Sequence, residues 1–183
     1  MNTYPIHTVD TAPDGSKPAL QGLHQALGLI PNLAATMANS PPLVNSFVAA
    51  FTQFSGGTFS ARERQILLLA NAVTNSSAWA VAFHSTMALN EGVDPQDVDA
   101  VRHGDLPRDA RLAALVRLTR ALIEKRGHLD PADADRFTAV GYDENQLLEV
   151  ITGVAISTLA GFAGNVARPP LEEPFKAQAW TAG

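Results

Sequence analysis

Apolar residues along this chain recur at intervals of three and four, the spacing that lines one face of an α-helix. No stretch alternates with the period of two that marks a strand. Leu20, Leu23 and Leu27 predict a short amphipathic helix over residues 19–29. Pro31, suited to a first turn, opens another over 32–39. Ser40-Pro41-Pro42 starts a third over 43–54, with Phe47, Val48, Phe51 and Phe54 as its apolar stripe. Aromatics at that spacing serve either as plain core or as the wall of a pocket.

The richest stretch is SARERQILLLANAVTNSSAWAVAFHSTMALNEG, Ser60 to Gly92. Ser60 with Glu63 three residues on is a capping box, in which each side chain satisfies a backbone N–H that the first turn leaves unpaired. Ile66, Leu67, Leu69, Ala70 and Val73 then give the helix one buried stripe. Thr74-Asn75-Ser76 favours caps over helix interiors, so the chain is expected to break there and restart with Asn75 or Ser76 as N-cap. The second helix carries Trp79, Val81, Phe83, Met87 and Leu89 and ends at Gly92, which suits a left-handed C-terminal cap.

Beyond Gly92, Asp94-Pro95 opens a short helix that Gly104 closes. Residues 107–126 form a long periodic stretch whose arginines read as a solvated face. Asp130-Pro131 caps a short helix to Val140, and Asp143 with Gln146 forms a second capping box. The helix that follows, to about Val166, is apolar almost all round and rich in small residues. Glu149 and its glycines argue for a central bundle helix rather than a membrane span, and also for burial between subunits. Residues 1–18 read as an extended arm, 19–168 as one helical domain, and 169–183 as a tail that wraps over the body or a partner.

Composition narrows the classes. The chain has 183 residues, 46% hydrophobic and 17% charged, ordinary values for one domain with a substantial core. A formal net charge of −5 without a Lys/Arg run speaks against nucleic acid or a membrane surface as partner. The opening MNTYPIHTVD has neither a cationic nor an apolar run, so no secretory signal and a cytoplasmic location are expected. The five histidines lie too far apart to mark a metal site, and no Gly-rich phosphate loop appears, so neither a metal nor a cofactor is expected.

The phrase from Ala61 to Gly92 resembles the core of the AhpD-like alkylhydroperoxidase and carboxymuconolactone decarboxylase superfamily. Gly28 to Phe47 and the tail around Asn165 and Pro169-Pro170-Leu171 are similar to it as well. The resemblance implies an all-α, AhpD-like helical bundle and an oligomer such as a dimer, trimer or hexamer. Redox members carry Glu-x11-Cys-x2-Cys-x3-His on two successive helices. On this chain those positions fall on Gln65, Ser77, Ala80 and His84. The helix with Phe47 and Phe51, and Trp79 between the thiol positions, would wall the family's pocket.

The departures matter chemically. In the redox branch a thiolate attacks the peroxide, and a second thiol resolves the product. A serine is far less acidic and forms no disulfide, Ala80 offers no resolving group, and Gln65 exchanges no proton near neutral pH. No cysteine exists anywhere in the chain, so a thiol peroxidase mechanism is closed to it. Ser77 and His84 do not make a nucleophile–base pair either, because seven helical residues rise about 10.5 Å. The expectation for Ser77 is a hydroxyl bonded to the backbone of its own first turn. His84 reads either as a satisfied core histidine or as a pocket group that handles a proton or ligand, with Gln65 fixing its tautomer. Three functions stay open. One is transformation of a small organic molecule without thiols, as a lyase or decarboxylase would do; the others are hydroperoxide reduction and a non-catalytic oligomeric binding role.

Overall fold

A computed structural model of the chain describes residues 4–182, so Met1–Thr3 of the expected arm and Gly183 lie outside the described residues. Among the described residues the elements are helical throughout. They are α1 (Lys17–Leu27), α2 (Asn32–Met37), α3 (Pro41–Ser55), α4 (Ala61–Thr74), α5 (Ala78–Asn90), α6 (Pro95–Arg102), α7 (Ala110–Glu124), α8 (Pro131–Thr138) and α9 (Glu144–Ala167). Two 3₁₀ turns, Asp14–Ser16 and Glu173–Gln178, flank them. This is the all-α single domain that the periodicity predicts.

The helix starts follow the capping signals. Ser60 Oγ accepts from the Glu63 N–H while the Glu63 carboxylate accepts from the Ser60 N–H, 2.9 Å away. Asp94, Asp109, Asp130 and Asp143 cap α6, α7, α8 and α9 in the same way or through one arm of it. One start differs from expectation. The N-cap of α5 is Ser77, not Asn75 or Ser76. Asn75 is instead the C-cap of α4, its side-chain amide donating to Asn71, and Ser76 takes the left-handed conformation at φ 51° that turns the chain back.

α4 is the axis of the bundle, packed by α5, α6, α7 and α9. Ile66 to Ala72 are all buried, so α4 is enclosed on every side, where its sequence predicts one stripe. The reason is position. Two apolar clusters meet on α4, one with α5, α6 and α7 around Ile66 and Leu69, the other with α3, α7 and α9 around Leu67 and Leu68. Each such leucine contributes about 1.5–3 kcal/mol on burial.

α9 is a central helix on one face only. It is long and apolar enough, by length and composition, to cross a membrane, yet it packs along α2, α3, α4, α5 and α7 on one face. That face is built of small residues: Gly153, Ser157, Ala160, Gly161 and Gly164 are buried. A Cβ at Gly153 would stand 2.7 Å from Leu67 Cδ2 and 2.9 Å from the Phe54 ring, so only glycine allows α4, α3 and α9 to approach this closely. The opposite face leaves Leu148, Ile151, Phe162 and Val166 in the open, Phe162 at 60% and Val166 at 70% exposure.

The arginines of α7 also depart from a simply solvated face. Arg120 donates to the carbonyls of Gly104 and Asp105, closing the α6–α7 loop. Arg111 reaches the Glu63 carboxylate at 3.1 Å and stacks over the Tyr142 ring at 4.1 Å. The tail lies across α5 of its own chain: Phe175 is buried, Arg102 donates to the carbonyls of Gln178 and Ala179, and the Trp180 indole donates to the Arg102 carbonyl.

Candidate functional site

The hairpin of α4 and α5 brings Gln65 and His84 together. The capping box fixes where α4 begins, and the turn at Asn75–Ser77 sends α5 back along it, so residues 19 apart face each other. The Gln65 side-chain oxygen lies 2.9 Å from His84 Nδ1. Nδ1 therefore carries the proton and donates, which leaves Nε2 as an acceptor. His84 is 9% exposed, and burial pushes its pKa from 6.5 down to about 3, so the ring is neutral at any physiological pH.

His84 opens onto a small cavity that is partly open to solvent. Its walls are apolar: Leu23 and Leu27 from α1, Pro31 and Leu33 around the start of α2, Phe47 and Phe51 from α3, and Trp79, Ala80 and Phe83 from α5. Ile156, Ser157 and Ala160 of α9 form the floor with Leu68 of α4. Phe47 and Phe51, stacked at 5.9 Å, thus stand in the cavity wall, while Phe54 one turn on is core. The helical stripe alone left those alternatives open, because wall and core positions share one spacing.

The other two positions part company. Ala80 lines the cavity beside His84. Ser77 does not line it: the side chain is 1% exposed, against Gly161 and Gly164 of α9. Its hydroxyl makes no hydrogen bond to the first turn of α5, contrary to expectation, and is the one buried side-chain polar atom without a partner among the described residues. Its own N–H is spent on the Ala72 carbonyl, which pulls Ser77 in under the turn and away from the helix amides.

Two further side chains shape the site and carry no signal in the sequence. Ser157 lines the floor, its hydroxyl directed to the Leu68 carbonyl at 3.4 Å. Glu172, in the tail, accepts from the Trp79 indole N–H at 2.9 Å and from the backbone N–H of Asn32 at the start of α2. One carboxylate so ties the tail, α2 and the aromatic wall together. Trp79 is stacked on Phe83 at 5.1 Å, and Phe175 of the tail meets both rings edge-on at 6.2 and 5.0 Å. Aromatic residues in a Pro-rich tail were the available hint; the glutamate between them was not legible, since its partners lie 140 and 93 residues away.

A second polar cluster sits two residues before Gln65. Burial acts to raise the Glu63 pKa, but hydrogen bonds from Ser60, Tyr142 and Arg111 hold it below the usual carboxylate value. The Tyr142 hydroxyl, 2.9 Å from the same carboxylate, is pushed up by burial and by that charge. Both carboxylate oxygens of Glu63 are paired.

Comparison with known proteins agrees with this architecture. The model of the carboxymuconolactone decarboxylase family matches residues 41–121, from the start of α3 into α7. Among solved structures, an uncharacterised peroxidase-related protein with an alkylhydroperoxidase AhpD core from Ralstonia eutropha JMP134 superposes with a TM-score of 0.82 at 18% identity, over 94% of this chain and 93% of its own. The debrominase Bmp8, as a C82A variant in complex with 2,3,4-tribromopyrrole, gives 0.78 at 19% identity over 97% and 95%. A peroxidase-related protein from Silicibacter sp. TM1040 gives 0.78 at 15% over 96% and 93%. No curated protein sequence matches the chain. Residues 41–121 thus match the carboxymuconolactone decarboxylase family, and the chain has the AhpD-like helical fold without a cysteine.

Proposed function

We propose that this protein binds, and through His84 orients, a small organic molecule in the cavity between α1, α3, α5 and α9, with no thiol step. The observation that carries this reading is the Gln65–His84 pair. A core histidine would spend both ring nitrogens on protein partners; here one is fixed, the other has no protein partner among the described residues, and the residue lines a cavity. Gln65, Ser77 and Ala80 occupy the positions of the redox glutamate and cysteines, so hydroperoxide reduction by the family route is disfavoured. The debrominase neighbour is in complex with 2,3,4-tribromopyrrole, which makes small flat rings sensible first probes.

The test is titration of the protein with small aromatic compounds while tryptophan fluorescence is followed, since Trp79 is in the wall. Saturable quenching that disappears in Ala160→Phe, with the melting curve preserved, is the expected result. No saturable response to any ring would end the reading. Turnover is then sought with His84→Leu as control: loss of rate in a folded variant makes the protein an enzyme, and retained binding without turnover makes it a binding protein.

The exposed face of α9 supports a homo-oligomer. No charged side chain interrupts the run from Val150 to Ala167. Leu148 and Phe162 stand seven residues either side of Ala155, and Ile151 and Leu159 four residues either side. That pattern is self-complementary for a second copy crossing antiparallel at the small Ala155. Sedimentation should show a dimer or larger at micromolar concentration and a monomer for Phe162→Asp; a monomeric parent overturns it.

A further inference from the structure

Resting on that reading of the cavity, we infer the class of its ligand: an uncharged organic molecule that presents one weakly acidic O–H or N–H, of the phenol or N–H heteroaromatic type, rather than a carboxylic acid or an acceptor-only molecule.

Three observations converge. The first is charge. No Asp, Glu, Lys or Arg lines the cavity, and the histidine that does is neutral. A carboxylate would enter with its solvation removed and no cation to replace it, a cost that the apolar walls cannot offset. The second is donor supply. Among the lining side chains the N–H groups belong to Trp79 and His84. The Trp79 N–H is already given to Glu172 at 2.9 Å, and the His84 Nδ1–H to Gln65 at 2.9 Å. The Ser157 hydroxyl proton is directed to the Leu68 carbonyl. The third is what remains. His84 Nε2 has no protein partner among the described residues, and Ser157 Oγ keeps its lone pairs, so the walls offer acceptors and no free donor.

A site of this kind selects by what it lacks. A ligand with an O–H or N–H satisfies Nε2 and buries its ring against Phe47, Phe51, Trp79 and Phe83. A ligand with acceptors only would set lone pair against lone pair and leave Nε2 desolvated and unpaired. Gln65 acts as a positioning residue: by holding Nδ1–H it decides that Nε2 is the acceptor.

The experiment compares phenol, its methyl ether anisole, and benzoate by calorimetry and tryptophan fluorescence at pH 7.5, where phenol is neutral and benzoate charged. The unmodified protein should bind phenol about tenfold more tightly than anisole, the factor expected of one hydrogen bond to a buried acceptor, and benzoate more weakly still. In His84→Leu the phenol–anisole difference should vanish while both still bind. Anisole binding as tightly as phenol in the unmodified protein overturns the donor requirement, and benzoate binding most tightly overturns the charge argument. In both cases the cavity reading stands if Ala160→Phe abolishes binding. Failure of all three compounds to bind overturns this inference and the cavity reading together. The comparison within the unmodified protein requires no variant to fold.

Discussion

Glu63 and Gln65 lie two residues apart on one helix and lead into opposite kinds of surroundings. The Glu63 carboxylate is held by the capping box, the Tyr142 hydroxyl and the Arg111 guanidinium, with Arg111 also stacked on the Tyr142 ring. Gln65 holds a single histidine nitrogen, and beyond that ring lies empty apolar space. The first corner is charged and complete; the second is neutral and half satisfied. A closed polar network fastens elements together, whereas an acceptor left open at a cavity has capacity for a ligand. The family resemblance points to the second place, but the completeness of the bonding is what separates them.

The largest way to break the comparison is Glu63→Ala. It removes an N-terminal cap partner and leaves the Tyr142 hydroxyl and Arg111 without their acceptor, so stability should fall by roughly 3 kcal/mol. Urea unfolding measures this, and ligand binding per folded molecule should be unchanged. A loss of less than about 1 kcal/mol would show that the corner is not the fastening it looks like.

Next comes pH. His84 has a folded-state pKa of about 3 against an ordinary 6.5. Above pH 6.5 both folded and unfolded states hold it neutral, and it contributes nothing to pH dependence. As pH falls below 6.5 the unfolded chain takes up a proton that the folded chain refuses. Stability therefore falls by up to about 1.4 kcal/mol per pH unit until the folded pKa is reached. Unfolding curves of the parent and His84→Leu at pH 7.5, 6 and 5 isolate this contribution: the parent should lose stability relative to the variant at each step. Parallel curves would mean that the ring is charged or solvated in the fold.

The smallest effect is at Ser77. Its hydroxyl is buried without a partner and caps nothing, so Ser77→Ala should leave stability unchanged or raise it by up to about 1 kcal/mol, where a working N-cap serine would cost that much. A clear destabilisation would reveal a hydrogen bond, to water or to a ligand, that the protein atoms do not supply.

Much of this was legible in the sequence. The capping boxes at Ser60 and Asp143, the N-caps Asp94 and Asp130 and the break after Thr74 lie within a few residues of their consequences, and local rules find such features. Less local features were read only in part. Gln65 and His84 sit 19 residues apart, within one hairpin, and resemblance together with helical spacing brought them to notice. Ser157, on the cavity floor, lies 89 residues from the carbonyl it addresses, and Glu172 lies 140 from the amide it accepts from, so neither carries a local pattern. Ser77 shows the limit of spacing itself: it shares a helical register with Ala80 and His84, yet the turn at Ser76 draws its hydroxyl out of their cavity.

The sequence by itself determined the helices, most of their caps and the closing of thiol chemistry, because these depend on period, on local capping residues and on the presence of cysteine. Only the tertiary structure decided which helix is enclosed. α4, read as amphipathic, is buried on all sides from Ile66 to Ala72, and α9, read as a central helix apolar almost all round, keeps one apolar face in the open. Periodicity records how apolar residues are distributed around an axis. Enclosure depends on how many neighbours reach that axis, and that is settled by the packing of residues far apart along the chain.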